Sequence, residues 1–251
     1  MTTKSVNIYL SLLKTRADEQ RLVALLTDPN PEELEEHIKE HAHLWERRPS
    51  DPDFLTVRVG KGKQLFSVGL KMPEVESVDP IATEVQQLKD DFTFVDDIPC
   101  GISLPKVKSL GITGRRQDVA ALTHEMICQI ATHHSPEDVR ILGIYPFSQK
   151  QDWEWIDNLS HTAPLKGCKL ERLTAVGEDE AIQLLNFMLE ELSQRVSKMA
   201  ERNNPTSNTA TTAMQPVALP HLVVLVHDYV DVRQHPALTH AFKLGEQLQH
   251  F

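Results

Sequence analysis

Residues 108–134 place the strongest constraint on how this chain can fold. They read KSLGITGRRQDVAALTHEMICQIATHH. A short strand-like run at 109–113 is followed by Gly114 and, from Asp118 onward, by apolar residues at helical spacing. A strand, a tight glycine turn and a helix form the geometry in which free backbone N–H groups and the helix dipole face an anion. The stretch therefore predicts an α/β fold of the phosphate-binding-loop type.

The same stretch lacks the residues that an active phosphate-binding loop requires. Such a loop reads G-x-x-x-x-G-K-[ST], where lysine reaches the β- and γ-phosphates and the hydroxyl binds magnesium. Here Gly111 and Gly114 are followed by Arg115 and Arg116, and the helix begins several residues too soon. We interpret this as a P-loop-like fold whose catalytic loop is deleted, with these four residues as a degenerate nucleotide site. An ordinary βα turn is the alternative.

A second stretch, residues 220–231, adds to this interpretation. It reads PHLVVLVHDYVD, in which residues 222–226 are continuously apolar, as in a strand buried on both faces of a parallel sheet. Asp228 follows the run, as the carboxylate that holds Mg²⁺ follows a Walker B strand. Asp228 is therefore the candidate Mg²⁺ ligand, and no other metal site is predicted.

Composition excludes several classes of function. The chain has 251 residues, 25% of them charged, and a net charge of −10, which disfavours a nucleic-acid-binding surface. Its three cysteines are far apart and lack CxxC spacing, so neither a disulfide framework nor a zinc site is indicated. No apolar run is long enough to span a membrane, and no signal peptide is evident. We expect a soluble fragment in a reducing compartment.

The remaining pattern predicts a helical stalk, a hairpin and an α/β domain. Residues 6–26 are helical by spacing, and Asn30 is expected to cap a second helix that runs to about residue 44. Residues 54–59 and 64–70 are expected to form a β-hairpin across Gly60 to Gly62. Strands at 139–144 and 169–175 alternate with a helix at 179–202, which indicates a mostly parallel sheet. The predicted domains are 1–45 (stalk), 46–78 (linker and hairpin) and 79–251 (ATPase-like α/β domain).

The segment at residues 44–62, LWERRPSDPDFLTVRVGKG, carries a specific resemblance. It resembles the segment that follows the membrane stalk in the EccC/EssC family, the FtsK/SpoIIIE-type ATPases of type VII secretion systems. The resemblance continues at residues 79–88, 110–141 and 152–162. The matching residues of the first segment are Trp45, Glu46, Arg47, Arg48, Asp51, Pro52, Asp53, Phe54, Leu55, Arg58 and Gly60.

The resemblance implies a place for this chain within a larger motor. In the family, two transmembrane helices and a stalk precede a degenerate ATPase-like domain and three further ATPase domains. This chain resembles only the stalk and the degenerate, RecA-like domain, at the cytoplasmic face of the membrane. The expected role is to couple the membrane complex to the ATPase domains during protein export. Expected partners are other secretion components, the downstream ATPase domains, exported proteins indirectly and, in the full-length protein, a ring or homo-oligomer. No nucleic acid is expected.

Three hypotheses remain open at this stage. The first is a catalytically inactive ATPase-like domain with no bound cofactor. The second is a working or nucleotide-sensing NTPase that binds ATP and Mg²⁺ through Asp228. The third is a protein-interaction module without a ligand. Separately, we hypothesise that Arg47 or Arg48 joins the stalk to the globular domain, with Trp45 packed in the same structural joint, because arginine binds carboxylates bidentately.

Overall fold

The computed structural model of the chain describes residues 3–68, 86–87, 90–203, 219–227, 232 and 235–240. The described residues group into two compact units. Unit 1 comprises Met1–Ala42, Thr56–Ser103 and Thr113–Gln129, and unit 2 comprises His43–Leu55, Leu104–Ile112 and Ile130–Phe251. The elements are α1 (Thr3–Thr27), α2 (Pro31–Glu40), β1 (Thr56–Leu65), β2 (Phe94–Ser103), α3 (Leu104–Val107), α4 (Arg116–His133), β3 (Val139–Tyr145), α5 (Lys150–Trp153), β4 (Thr174–Val176), α6 (Glu178–Asn203) and β5 (His221–Val226).

Helix α2 begins at the predicted cap. The Asn30 side chain accepts a hydrogen bond from the Glu33 backbone N–H, and the Glu33 carboxylate accepts one from the Asn30 N–H, which together form a capping box. Pro31 occupies the first turn, where its missing N–H costs nothing. The helix ends at Glu40 rather than near residue 44, because His41 adopts the left-handed conformation (φ 53°) that terminates helices.

The predicted hairpin at Gly60 to Gly62 is wrong. Strand β1 continues through these residues and pairs antiparallel with β2, from Thr56 opposite Ser103 to Leu65 opposite Phe94. Each glycine lies at one of two register shifts in the pairing. Gly60 has a φ of 151°, a conformation that favours glycine. A strand can absorb glycines as bulges without turning, provided that a partner strand continues alongside it.

Unit 1 has a small core between α1 and the two-stranded ribbon. Phe66, Val95 and Ile98 are buried there, and Leu13, Ala17 and Ala24 of α1 pack against them together with Phe92. The Gln20 side chain fixes the helix to the ribbon. Its amide donates to the Leu65 carbonyl at 3.0 Å and accepts from the Ser67 N–H at 2.8 Å.

Helix α4 contributes a second polar contact to unit 1. The side-chain amide of Gln129 accepts from the Arg58 N–H at 2.7 Å and donates to the Arg58 carbonyl at 3.1 Å. This contact lies at the irregularity between Arg58 and Gly60, so the side chain satisfies backbone groups as a neighbouring strand would. The buried Arg58 guanidinium also donates to the Asp28 carbonyl at 3.0 Å.

Unit 2 contains a parallel sheet in the order β4-β3-β5. Strand β3 is buried along its length, and its apolar residues pack with those of α6 in a core that includes Leu142, Ile144, Leu184 and Met188. The mixture of helices with a parallel sheet is compatible with the predicted α/β class. Strand β5 is only half-buried, contrary to the expectation of burial on both faces, because within the described residues it pairs with β3 alone.

The strand expected at residues 109–113 does not form. This segment has no regular secondary structure and belongs to neither sheet, and most of it is exposed, with Leu110 39% accessible. Leu110 and Ile112 are its only large apolar side chains, too few for a strand buried on both faces. Helix α4 then begins at Arg116. The RecA-like assignment therefore remains a prediction, as do the linear domain boundaries at residues 45 and 78.

Several sequence predictions fall on residues that lie outside the described part of the chain. One of these is the Mg²⁺ ligand Asp228. The sequence also predicts a helix at about 79–91, a polar loop at 203–219 and a last helix at 236–249, and most residues of all three lie outside the described part as well. Among the described residues, no helix combines the length and apolar character needed to cross a membrane.

Candidate functional site

Residues 45–55, here called the signature segment, are fixed to the last turn of α4 within unit 2. The Trp45 N–H donates to the Thr132 carbonyl at 2.8 Å, and the Arg47 N–H donates to the His133 carbonyl at 3.0 Å. The Trp45 indole N–H also donates to the Ala131 carbonyl at 3.2 Å. The last four carbonyl groups of a helix have no partner within the helix. The signature segment therefore supplies three of the hydrogen bonds that this helix end needs.

The signature segment holds an unusual backbone conformation. Trp45 (φ 58°) and Leu55 (φ 50°), its two end residues, both adopt left-handed φ values, as does His43 (φ 55°) just before it. This region is costly for residues with a side chain and persists only where surrounding contacts hold it. The hydrogen bonds to α4 provide such contacts, so the path of this segment depends on the helix beneath it.

The two arginines of the segment have different partners. The Arg47 guanidinium lies 3.1 Å from the Asp53 carboxylate (Nε to Oδ2), and its side chain is only 8% exposed. The Arg48 guanidinium lies 3.0 Å from the Asp138 carboxylate (Nη1 to Oδ2) and is 58% exposed. The first pair closes the signature segment on itself, whereas the second connects it to the residue that precedes β3.

These contacts bear on the hypothesis of a structural joint. Trp45, Arg47 and Arg48 all contact residues of unit 2, whereas helices α1 and α2 belong to unit 1. The observed role of the three residues is thus to hold the signature segment on the α/β unit. That they also join the stalk to this unit remains a prediction.

His134, the residue after α4, binds the other end of the segment. Its Nε2 lies 3.0 Å from the Leu55 N–H, and its Nδ1 lies 3.1 Å from the Ile130 carbonyl. One nitrogen must accept and the other must donate, so the ring is neutral. Burial lowers the pKa of His134 to about 4, and the nearby positive charge of Arg47 acts in the same direction.

Two further histidines lie near His134: the buried His161, and His221, which is exposed at the start of β5. The Phe54 ring packs edge-on against His134 and His221, with ring centroids 5.1 and 4.8 Å apart. The Nε2 of His161 lies 2.8 Å from the His134 carbonyl and donates to it. Burial lowers the pKa of both His161 and His221. Sequence reasoning missed this cluster, because no spacing among the twelve histidines distinguishes these three.

The signature segment lies at the amino ends of the parallel strands. Its partners Asp138 and His221 stand immediately before β3 and at the start of β5. In open α/β sheets, ligands bind beyond the carboxyl ends of the strands. The segment therefore lies at the amino ends of the strands, whereas a nucleotide is expected at their carboxyl ends.

The predicted nucleotide-site residues do not form a loop of the P-loop type. Gly111 and Gly114 both lie in the irregular segment before α4, and neither has a positive φ. Arg115 is exposed and pairs with Asp118 at 2.7 Å, and Arg116 is the exposed first residue of α4. Gly111 is assigned to unit 2 and the other three residues to unit 1. Asp228 lies outside the described residues, so its role stays a prediction.

Protein side chains occupy the described part of the sheet's carboxyl edge. Trp153 is fully buried, and its ring lies 4.7 Å from that of His227, the residue after β5. In β4, the hydroxyl of Thr174, which pairs with Gly143 of β3, donates to the Asp157 carboxylate at 2.6 Å. Burial raises the pKa of Tyr145, at the end of β3, to about 12, so this phenol stays protonated at neutral pH. The described residues contain no group of three or more His, Cys, Asp or Glu that could hold a metal ion.

Comparison with known proteins finds relatives along most of the chain. It is 28% identical over 231 residues to the ESX-3 secretion system protein EccC3 of Mycobacterium tuberculosis, which is 88% of this chain and 16% of that protein. It is 33% identical over 162 residues to the ESX secretion system protein EccC of Thermomonospora curvata, 61% of this chain and 12% of that protein. It is 24% identical over 245 residues to the EccC protein of Geobacillus thermodenitrificans, 94% of this chain and 15% of that protein. No protein-family model matches. The chain thus spans only 12% to 16% of the length of these relatives.

Proposed function

This chain is a relative of the EccC proteins of ESX secretion systems, and we propose that it is a non-hydrolysing, membrane-proximal part of a type VII secretion motor. In this proposal it lies at the cytoplasmic face of the membrane. It couples the other membrane components of the system to the ATPase domains that drive protein export, and it contacts exported proteins only indirectly. A ring or other homo-oligomer of the full-length protein would be the working state.

The observation that carries the proposal is the stretch before α4. A phosphoryl-transfer site needs a positioned lysine and a metal-binding hydroxyl at the start of this helix. Residues 109–113 are not a strand, and Gly114 is followed by Arg115, Arg116 and Gln117. Arg115 is already paired with Asp118 in the same turn. These features favour a domain that has the α/β architecture but lacks the residues needed for phosphoryl transfer.

The coupling role is supported by the position of the signature segment. Backbone hydrogen bonds and two ion pairs fix it at the amino edge of the parallel sheet, away from the edge where a nucleotide would bind. Its residues are the ones that carry the resemblance to the secretion ATPases. A segment fixed in this way can transmit force between the preceding helices and the α/β unit without depending on nucleotide.

Nucleotide titration tests the catalytic part of the proposal. Calorimetric titration of the chain with ATP, with and without Mg²⁺, and a steady-state phosphate-release assay should show neither saturable binding nor turnover above buffer. Asp228→Ala should behave as the parent chain does. Turnover that Asp228→Ala abolishes would overturn the proposal in favour of a working NTPase, and Mg²⁺-dependent binding without turnover would indicate a nucleotide sensor.

Export measurements test the coupling part. Arg47→Ala in the full-length secretion protein should reduce substrate export while its ATP hydrolysis is retained. Lys61→Ala, an exposed lysine outside the signature segment, is the matched control. Unchanged export by the Arg47 variant would contradict a coupling role for this segment.

A further inference from the structure

Helix α1 carries an exposed stripe with the spacing of a coiled-coil seam. The stripe consists of Tyr9, Leu12, Arg16, Glu19, Val23 and Leu26, which are alternately three and four residues apart. This spacing places all six on one face of the helix. The four apolar members are exposed, from 54% for Tyr9 to 72% for Leu26. Apolar side chains repeated along one helix face indicate a surface that meets a partner.

The stripe is separate from the face of α1 that packs within unit 1. Leu13, Ala17 and Ala24 contact the core of the β-ribbon, and Gln20 bonds to it. At 100° per residue, the centre of this packed face is turned roughly 100° from the centre of the stripe. Helix α1 therefore has two apolar faces, and contacts among the described residues cover only one of them.

The stripe is complementary to its own reverse. Its residues are arranged symmetrically about the point midway between Ala17 and Asp18. When a second α1 runs antiparallel about this point, Tyr9 faces Leu26, and Leu12 faces Val23. The two charged members then face each other as opposites, Arg16 against Glu19. In antiparallel coiled coils, an a position of one helix faces a d position of the other, and each of these three pairs joins one of each kind.

We propose that the stripe is the docking surface for a second copy of this chain, which pairs through α1 in an antiparallel, two-fold symmetric arrangement. A two-fold interface uses the same patch on both copies and must be self-complementary, as this stripe is. A parallel pairing would place Arg16 against Arg16 and Glu19 against Glu19. Like charges in the seam disfavour that arrangement, so the charged layer selects the antiparallel one.

The charged layer sets orientation, and the apolar layers supply the attraction. Arg16 and Glu19 already form an ion pair within the helix at 2.7 Å, and both side chains are more than half exposed. Exposed ion pairs contribute little net stability, whereas charged or polar groups in a seam specify register and orientation. With four apolar side chains from each copy over about five helical turns, the dimer should depend on concentration.

Complementary charge reversals test the proposal. Sedimentation equilibrium of the parent chain should show a reversible monomer–dimer equilibrium. Arg16→Glu places Glu against Glu in both charged layers, and Glu19→Arg places Arg against Arg, so each variant alone should dimerise at least tenfold more weakly. An equimolar mixture of the two should recover the parent affinity, because the mixed dimer restores both opposite-charge layers. Lys39→Glu, which reverses an exposed charge on α2, should leave the equilibrium unchanged.

Cysteine cross-linking provides the geometric test. In the antiparallel pair, residue 9 of one copy lies beside residue 26 of the other, whereas the two residues 9 lie roughly 25 Å apart. The double variant Tyr9→Cys/Leu26→Cys should therefore form a disulfide-linked dimer under mild oxidation, and Tyr9→Cys alone should form no more than the parent. A monomer at all concentrations, a mixture no tighter than its components, or equal cross-linking by the single variant would each overturn the proposal. A monomeric result would assign the stripe to a different protein.

Discussion

The Nε2 atom of His134 accepts a hydrogen bond from the Leu55 backbone N–H at 3.0 Å. Because Nδ1 of the same ring bonds to the Ile130 carbonyl, the histidine connects the end of α4 to the end of the signature segment. A protonated ring would present an N–H to the Leu55 N–H. This segment is therefore held by a group that must remain neutral.

We predict that the chain loses stability as the pH falls from about 6.5 to about 4. In the unfolded chain His134 has its ordinary pKa of 6.5, whereas in the folded chain the pKa is about 4, so the unfolded state binds the proton first. The stability is fully present above pH 6.5 and falls by roughly 1.4 kcal/mol per pH unit as the pH drops toward 4. The lowered pKa values of His161 and His221 act in the same direction.

Denaturant unfolding at several pH values, followed by tryptophan fluorescence, measures this effect. The three tryptophans, Trp45, Trp153 and Trp155, all belong to unit 2, so the signal reports the unit that contains the histidines. His134→Gln keeps a hydrogen-bond acceptor but cannot titrate. The slope of its unfolding free energy against pH should therefore correspond to one proton fewer than in the parent chain. An equal slope for parent and variant would show that His134 does not contribute.

Arg47→Ala should destabilise unit 2 more than Arg48→Ala does. Arg47 is buried and paired with Asp53, which is 36% exposed, so its removal empties packed space and leaves the Asp53 carboxylate without this partner, at a cost of about 1–3 kcal/mol. The more exposed pair of Arg48 and Asp138 should contribute less than about 1 kcal/mol. Thermal unfolding by tryptophan fluorescence compares both with Lys61→Ala. If all three variants melt together, the arginines do not hold the signature segment.

Gly143→Ala should be strongly destabilising, whereas Gly111→Ala should be neutral. A Cβ atom on Gly143 would lie 2.6 Å from Cδ1 of the fully buried Ile156, an overlap that should cost about 1–3 kcal/mol. A Cβ atom on Gly111 would meet nothing within 4 Å. Because Ile156→Val removes Cδ1, it should restore part of the stability of Gly143→Ala. A strong effect of Gly111→Ala instead would indicate that the loop needs glycine, as a phosphate-binding loop does.

Gln129→Leu should expose the backbone of Arg58 to exchange. The Gln129 amide makes hydrogen bonds to both the N–H and the carbonyl of Arg58, and leucine would leave these buried groups unpaired at a cost of about 2–3 kcal/mol. Hydrogen exchange should show lost protection of the Arg58 amide. Gln64→Leu, which removes one partly buried bond to the Pro99 carbonyl, is the milder control. Unchanged exchange at Arg58 would contradict the role assigned to Gln129.

The sequence was informative where the deciding interactions are local. The helix cap at Asn30, the helices near residues 6–26 and 179–202, and the strand near 139–144 are confirmed in type and approximate position. The resemblance to the EccC/EssC family, first seen in residues 44–62, is confirmed by the relatives. Caps and apolar periodicity depend on residues three or four positions apart, so they can be read directly from the chain.

The sequence misled where a distant partner decides. Gly60 and Gly62 suggested a turn, but β2, more than thirty residues away along the chain, pairs alongside them and keeps β1 extended. Residues 109–113 suggested a strand, but no strand of either sheet pairs with them in the described structure. Whether an extended run becomes a strand depends on a neighbour that local patterning does not reveal.

By itself, therefore, the sequence determined the helices, the α/β alternation and the resemblance to the EccC/EssC family, because these depend on local spacing and on one unusual stretch of residues. Only the tertiary structure decided what the WERR run at residues 45–48 does. Trp45 and Arg47 bond to carbonyls 86 residues away at the end of α4, and Leu55 bonds to His134 at a separation of 79 residues. The helix-end carbonyls and the buried imidazole need hydrogen-bond partners, and the backbone N–H groups that serve them are distant in sequence. These groups become neighbours only when the chain has folded.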